Sequence, residues 1–428
     1  MLIKCRFSNF RSFRNEEELS LVAGSLTEKP EVPRLVDSIK ASLLPATAIY
    51  GANASGKTNA LRAIYFIVQA VVESHSSWKP DSPIPIQRFL NGGEDVPSEF
   101  EIDFLTAGIR YRYGFRVTAL AVLEEWLHAY PKGKKQIWFH RTSGKPISFS
   151  TKLTGENRTI ENLTRNNSLF LSAAAQNNHE ALRVPYRWIA DLLFVMEENR
   201  SIFRDHTAKL CQSSAYLDEV FRLVSAADLG ITGIKVEQPE VPEEQKKMVA
   251  KIVDALKAAG VRGPPRDLTG DPQIQLLHRV GDREVPFESG QESRGTLAYL
   301  ALLGPVVDSL KKGMPLIVDE LDSSLHPLLS AHLVSLFNDP ATNPLGSQLI
   351  FSTHDTNLLV GGLLRRDQIW FSEKASDGCT HLFPLSDFKL RRTDNLQSGY
   401  LLGRYGAIPF INSEGLFSGF GDANAGKT

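Results

Sequence analysis

Ala46-Thr47-Ala48-Ile49-Tyr50-Gly51-Ala52-Asn53-Ala54-Ser55-Gly56-Lys57-Thr58 is the stretch on which the reading of this chain turns. Ala46 to Tyr50 is a short apolar run that ends in glycine. From Lys57 to Val72 the apolar positions Leu61, Ile64, Ile67, Val68 and Val71 leave little polar face. The pattern is a strand, a G-x-x-x-x-G-K-[ST] loop and a helix buried against a sheet. Glycines let such a loop curl, so that its N–H groups converge on an anion, and the helix start adds its positive end. Lys57 is placed to reach the β- and γ-phosphates of a nucleotide, and the Thr58 hydroxyl to ligate Mg²⁺. Gly51, Ala52, Asn53, Ala54, Ser55, Gly56, Lys57 and Thr58 are therefore the candidate contacts for ATP. The same pattern recurs at Gly421–Thr428. There no helix follows and Leu416–Phe420 is a poor strand, so we expect a coincidental match in a loose tail.

Two further strand ends carry chemistry. Leu316-Ile317-Val318 runs into Asp319-Glu320. Asp319 suits Mg²⁺, which prefers a few hard oxygens and keeps waters. Glu320 is a candidate general base for an attacking water. Taken alone, such a strand end is often only a chain leaving the core. Its value comes from the phosphate loop upstream. Gln348 to Phe351 is another apolar run, ending in Ser352-Thr353-His354-Asp355. One helix separates it from the acidic strand, so right-handed parallel connection puts both strand ends on the same edge. His354 would then face the γ-phosphate.

Between these elements lies Glu292-Ser293-Arg294-Gly295-Thr296, leading into an apolar helix. By pattern it is a helix cap or an anion site. Elsewhere the period is two. Phe100, Ile102 and Phe104, then Ile109, Tyr111, Tyr113, Phe115 and Val117 alternate with polar residues around a turn at Thr106 to Gly108, predicting a β-hairpin. A second hairpin is expected over Val122 to His140. The boundaries drawn are 1–150 for a first half with phosphate loop and β-layer, 151–280 for a mainly helical insert, 281–410 for a second half, and 411–428 for a flexible tail. An amphipathic helix is expected within the insert, from Pro242 to Ala259.

The order of these pieces, together with Leu321-Asp322 and the opening Phe7-Ser8-Asn9-Phe10-Arg11-Ser12-Phe13, resembles the ABC-type ATPases in the branch of RecF, SMC and OLD proteins. The Glu-Ser-x-Gly-Thr segment and the closing Gly403–Phe410 run are most similar to bacterial AAA ATPases of the RloA/AbiL kind. The resemblance implies an α/β P-loop NTPase fold: an ABC-type head with an antiparallel β-layer and a helical insert. It implies ATP hydrolysis between two heads, with Ser293 and Gly295 acting in trans, Asp322 at the seam and Arg11 near the nucleotide. It also implies a role in phage defence beside a separate nuclease- or toxin-type effector. The signature is not Leu-Ser-Gly-Gly-Gln, and the glutamine that usually follows the cradle helix has only a weak candidate in Gln87.

Composition sets the limits. The 428 residues carry a net charge of −1, so no global basic field points to nucleic acid. Local basic runs remain at Lys132 to Lys135 with Trp138 and His140, at Arg365-Arg366 and at Lys389 to Arg392, and they keep a RecF-like DNA role open. An ATP-held scaffold without turnover is a third reading. Cys5, Cys211 and Cys379 show no metal-ligand spacing and are expected to be reduced thiols. No membrane partner is expected, and the expected location is cytoplasmic.

Overall fold

The computed structural model describes residues 1–90, 96–227, 230–238, 272–391 and 393–409, with isolated positions between them. The chain opens with β1 (Leu2–Ser8) and β2 (Glu17–Ser20), makes a small hairpin from β3 (Arg34–Val36) and β4 (Ala41–Leu43), and enters β5 (Ala46–Tyr50). Helix α1 (Lys57–Glu73) follows the phosphate loop. Then come β6 (Ser98–Thr106), β7 (Ile109–Val117), β8 (Val122–Tyr130), β9 (Gln136–Thr142) and β10 (Ser148–Phe149). Helices α2 (Asn157–Leu163), α3 (Phe170–Gln176) and α4 (Glu180–Ala190) lead to β11 (Leu193–Val195), α5 (Arg200–Leu210), α6 (Ser214–Ala226) and β12 (Ile231–Glu237). The last part contains β13 (Gln273–Val280), β14 (Arg283–Phe287), α7 (Arg294–Lys312), β15 (Leu316–Val318), α8 (Pro327–Asn338), β16 (Leu349–Ser352), β17 (Ile369–Lys374), β18 (Thr380–Pro384) and α9 (Leu396–Leu401).

Two sheets carry the fold. An antiparallel sheet has the order β10-β9-β8-β7-β6-β1-β2, and a second sheet has the order β11-β15-β16-β5-β17-β18. In the second sheet every neighbouring pair is parallel except β17 with β18. β5 is buried along its whole length and sits inside the sheet, which explains why its sequence reads as an unbroken apolar run. Helix α1 fills the space between the sheets. Its Phe66 meets Phe100 at 4.9 Å and Phe115 at 6.3 Å between ring centroids, and Ile49, Ile317 and Ile350 close the other side of that core. The opposite face of the parallel sheet, with Ala48, Val318 and Phe351, is covered by residues of α7 and α8. The result is an α/β fold with an antiparallel β-layer, as the sequence pattern implied.

The first hairpin turns on Ala107 and Gly108, at φ of +48° and +73°. Two left-handed residues suit a two-residue hairpin turn. Among the described residues of 151–280, the helices α2 to α6 are accompanied by strands that the reading of a mainly helical insert did not place. β11 belongs to the parallel sheet, pairing with β15 through Leu193↔Leu316 and Val195↔Val318. β12, β13 and β14 form a separate antiparallel sheet. Three residues are too few to display a period, so Leu193–Val195 was indistinguishable from a helix flank. The helix expected over 242–259 and the tail 411–428 lie outside the described residues.

One buried carboxylate ties the β-layer to the helices behind it. Glu125 is fully buried, and it accepts hydrogen bonds from the N–H groups of Phe170 and Leu171 at 2.6 and 3.0 Å and from the Tyr113 hydroxyl at 3.0 Å. Its oxygen lies 3.6 Å from the Arg141 guanidinium. Burial pushes its carboxyl above the usual range, opposed by Arg141 and by these bonds. Removing one member of such a set strands the others in the core. Glu125→Ala should therefore cost about 3–5 kcal/mol of stability in a chemical denaturation experiment. A midpoint equal to that of the wild type would refute this role.

Candidate functional site

The parallel register brings three strand ends to one edge. Phe351 is level with both Ala48 and Val318, so β5, β16 and β15 end side by side. From β5 the chain enters the loop at Gly51. A Cβ there would collide with the Ser372 carbonyl oxygen of β17, and one at Gly56 would come within 2.6 Å of Thr380 Oγ1. Gly56 also has φ of +112°, which glycine adopts without strain. The loop is gripped from this side: Ser372 Oγ and Thr380 Oγ1 both donate to the Ser55 carbonyl, at 3.0 and 2.8 Å. α1 then begins at Lys57 with its first N–H groups free of intrahelical partners, the arrangement that attracts anions.

Lys57 is 5% exposed, and its Nζ donates to the carbonyls of Gly51 and Ala52 at 3.0 and 3.1 Å. Burial pulls this ammonium down to about 8, against the opposing pull of Glu320, Asp319 and Asp322. Thr58 Oγ1 donates to Asp319 Oδ1 at 3.1 Å. The same Asp319 oxygen accepts from Ser352 Oγ at 2.6 Å, and Ser352 Oγ accepts from the Glu320 N–H at 2.8 Å. Glu320 has φ of +50°, a strained position for a side chain of its kind. Its carboxyl is pushed up by burial and then by the neighbouring charges of Glu197, Asp319 and Asp322, with Lys57 working the other way. His354 is exposed, and its N–H faces the two Asp322 carboxylate oxygens at 3.2 and 3.4 Å. Desolvation at the pocket wall and the Lys57 charge hold its imidazole below the usual range.

These groups enclose one cleft of 250 Å³, lined by Asn53, Ala54, Gly56, Lys57, Thr58, Asn59, Glu320 and His354. Phosphate-loop residues, Glu320 and His354 thus meet in one place, with Asp319 hydrogen-bonded to Thr58 beneath them. The donor set fits magnesium. Thr58 and Asp319 offer two hard oxygens, and no group of three His, Cys, Asp or Glu among the described residues forms a closed metal cage. A magnesium ion keeps waters and takes its remaining ligands from phosphate oxygens, so an open pair is what it needs.

The other sequence candidates fall elsewhere. Arg11 lines a larger cleft of 740 Å³ with Ser12, Gln87 and Lys374, not the phosphate-loop cleft. The two are adjacent, because Ser12 Oγ accepts from Asn59 Nδ2 of α1 at 2.9 Å. Arg11 is left-handed at φ of +52°, its N–H donates to the Gln87 carbonyl at 2.8 Å, and its Nε is buried without a partner. Gln87 is thus a wall of the Arg11 cleft. Ser293 caps α7, accepting from the Thr296 N–H at 3.0 Å. A Cβ at Gly295 would lie 3.1 Å from the Ser324 carbonyl. Ser293 and Gly295 are absent from the cleft of their own chain and stand beside the loop that follows Asp322.

One expectation for nucleic-acid contact is corrected. Arg365 is 1% exposed and is spent on Asp367 and the Glu28 carbonyl, while Arg366 pairs with Glu28. These arginines anchor a loop and offer no free charge. His140 pairs with Glu124 at 2.9 Å. Arg392 lies outside the described residues. Sequence reasoning missed Ser352, Ser372 and Thr380. Ser352 had one signal, its place two residues before His354 at a strand end; Ser372 and Thr380 had none.

Among the curated proteins no relative matches. Three solved structures are similar in fold: the SMC head bound to the C-winged helix domain of ScpA (13% identity, 90% of this chain and 97% of that one, TM-score 0.42), the SMC head domain from Thermotoga maritima (14%, 90% and 98%, 0.40), and the Pyrococcus furiosus-derived SMC head with an extended coiled coil, bound to the C-terminal domain of ScpA (12%, 94% and 98%, 0.39). No helix among the described residues is long and apolar enough to cross a membrane. The model of the family described as "AAA domain, putative AbiEii toxin, Type IV TA system" matches residues 46–360, which hold the phosphate loop, the acidic strand and the histidine, and the chain belongs to that family.

Proposed function

We propose that this chain is an ABC-type ATPase that binds Mg-ATP in the phosphate-loop cleft and hydrolyses it between two copies of itself. The observation that carries this reading is the convergence of Lys57, Thr58, Glu320 and His354 on one cleft, with Asp319 bonded to Thr58 beneath it. Thr58 and Asp319 would hold magnesium, which neutralises charge on the phosphate oxygens. Lys57 exchanges the loop carbonyls for the phosphate oxygens. Glu320 orients the attacking water and accepts its proton, and a carboxyl raised above its usual range is the better base. His354, at the mouth, donates to the γ-phosphate. Arg11, in the adjoining cleft, is placed for the rest of the nucleotide.

The dimer rests on the signature. Ser293 and Gly295 flank the exposed start of α7, away from their own phosphate loop, so they meet a nucleotide only if a second copy presents it. Asp322 would lie at that seam. In biological terms the reading is a sensor or motor that controls a separate nuclease- or toxin-type effector in phage defence, in the manner of RloA/AbiL-like ATPases. The family description, which names a toxin of a toxin–antitoxin system, supports that setting. A RecF-like DNA role is less favoured because Arg365 and Arg366 are already paired. A scaffold without turnover leaves Glu320 without a task. The cell compartment that fits is the cytoplasm.

Lys57→Ala should abolish high-affinity ATP binding measured by calorimetry; wild-type affinity in that variant would remove the cleft from the reading. Glu320→Gln should still bind ATP but turn over roughly 10²–10⁴-fold more slowly. Ser352→Ala releases Asp319 and the Glu320 backbone, and should lower activity or magnesium affinity by about 10–100-fold, the usual effect of losing a group that orients a metal ligand. Unchanged magnesium titration and turnover would count against it. Glu320→Gln with Mg-ATP should sediment as a dimer, and adding Ser293→Arg should return it to monomer. A monomeric mass under both conditions would sink the two-headed site.

A further inference from the structure

Arg200, the first residue of α5, lies in the interval read from sequence as a helical insert, yet it reaches the acidic strand. Its Nη1 donates to the Ser323 carbonyl at 2.9 Å, and its Nη2 donates to the carbonyls of Asp319 and Glu320 at 2.9 and 2.6 Å. One guanidinium therefore spans the backbone on both sides of Glu320. That backbone needs holding. Glu320 sits at φ of +50° and Ser324 at +62°, conformations that are strained for non-glycine residues and persist only where the surroundings over-determine them. The Ser323 N–H also donates to the Glu320 carbonyl, at 2.9 Å, and the Ser352 hydroxyl accepts from the Glu320 N–H. Ser352 fixes the amide side and Arg200 the carbonyl side.

Arg200 is itself fixed from several directions. Just before it, the β11 carbonyl of Val195 accepts from the Asp319 N–H at 2.9 Å, so the segment enters α5 already registered on the acidic strand. Glu198 pairs with Arg62 of α1 at 2.9 Å, linking the same turn to the helix of the phosphate loop. Further along α5, Thr207 Oγ1 donates to the Leu300 carbonyl of α7 at 3.1 Å, and a Cβ on Gly304 would run into Thr207. Arg200 is thus carried by a helix locked to α7, whose first residues follow Ser293.

We propose that Arg200 is a positioning residue of the ATPase site, holding the Glu320 backbone in the left-handed turn that directs its carboxylate into the phosphate-loop cleft. This rests on the hydrolytic reading of Glu320 given above. Arg200 does not line the phosphate-loop cleft. Its loss leaves the phosphate cradle intact and lets the base drift. A misplacement on the scale of 1 Å costs about 10²-fold in rate. The loss belongs in kcat, because an interaction that serves only the reacting geometry leaves ground-state binding unchanged.

The test compares wild type, Glu320→Gln, Arg200→Ala and Arg200→Lys for ATP affinity, kcat and KM. Arg200→Ala should keep its ATP affinity and KM while kcat falls about 10²-fold. Low, non-denaturing guanidinium should restore part of that loss in Arg200→Ala and none in Glu320→Gln, a rescue that a merely structural defect would not give. Arg200→Lys should also lose turnover, since a single ammonium cannot span three carbonyls, and it carries the test if the alanine variant does not fold. Wild-type kcat in either foldable variant, or a loss confined to ATP affinity, overturns the proposal. Wild-type turnover that depends on Glu320 but not on Arg200 overturns this inference alone. A wild-type chain without turnover, or Glu320→Gln at full speed, overturns the hydrolytic reading and leaves Arg200 nothing to position.

Discussion

The 2.6 Å hydrogen bond from Ser352 to Asp319 joins the ends of two neighbouring parallel strands, and the geometry of the candidate site follows from it. It can form only because β15 and β16 run parallel in a register that leaves Val318 opposite Phe351. The next strand over, β5, delivers the phosphate loop to the same edge, and Thr58 completes the link to Asp319. One carboxylate oxygen thus gathers three segments of the chain, with Thr58 lying 261 residues and Ser352 33 residues from Asp319. The apolar runs serve this end. They bury the strands from both faces, and burial on both faces is what a parallel sheet requires.

Charge in the cleft is balanced inside a small space. Lys57 is buried and loses some of its affinity for a proton, while Glu320 gains some. Each shift has burial as its largest cause, and the two side chains partly relieve each other. Asp322 contributes to both and also holds the His354 N–H. The exposed histidine and the buried lysine therefore respond to one shared set of carboxylates. A triphosphate entering the cleft would change that set at once.

The sequence made some parts of this molecule legible and hid others. The phosphate loop, the acidic strand and the Ser-Thr-His strand end could be read because each joins an apolar run to polar residues of fixed spacing. The hairpins over Phe100 to His140 could be read because one wet face gives a clean period of two. β11 could not, since Leu193-Phe194-Val195 is too short to have a period, and its membership in the parallel sheet is set by β15. Arg365 and Arg366 looked like free positive charge because Glu28 becomes their neighbour only through folding, and because nothing in the residue order shows that Asp367, two places on, turns back onto Arg365. Ser372, Thr380 and Arg200 act on backbone carbonyls. A contact with a carbonyl leaves no mark on the partner's residue type, so the sequence carried no sign of it.

The clasp on Ser55 has a consequence for where the folding unit ends. The stretch shared with the family, residues 46–360, includes each residue that faces the phosphate-loop cleft. Yet the loop keeps its curl by resting on Ser372 and Thr380 of the final hairpin, and on the Ser12 region near the start. Segments from either side of the shared stretch close around the loop like the halves of a buckle. A fragment cut to the shared stretch would keep the residues that line this cleft and lack the frame that shapes it.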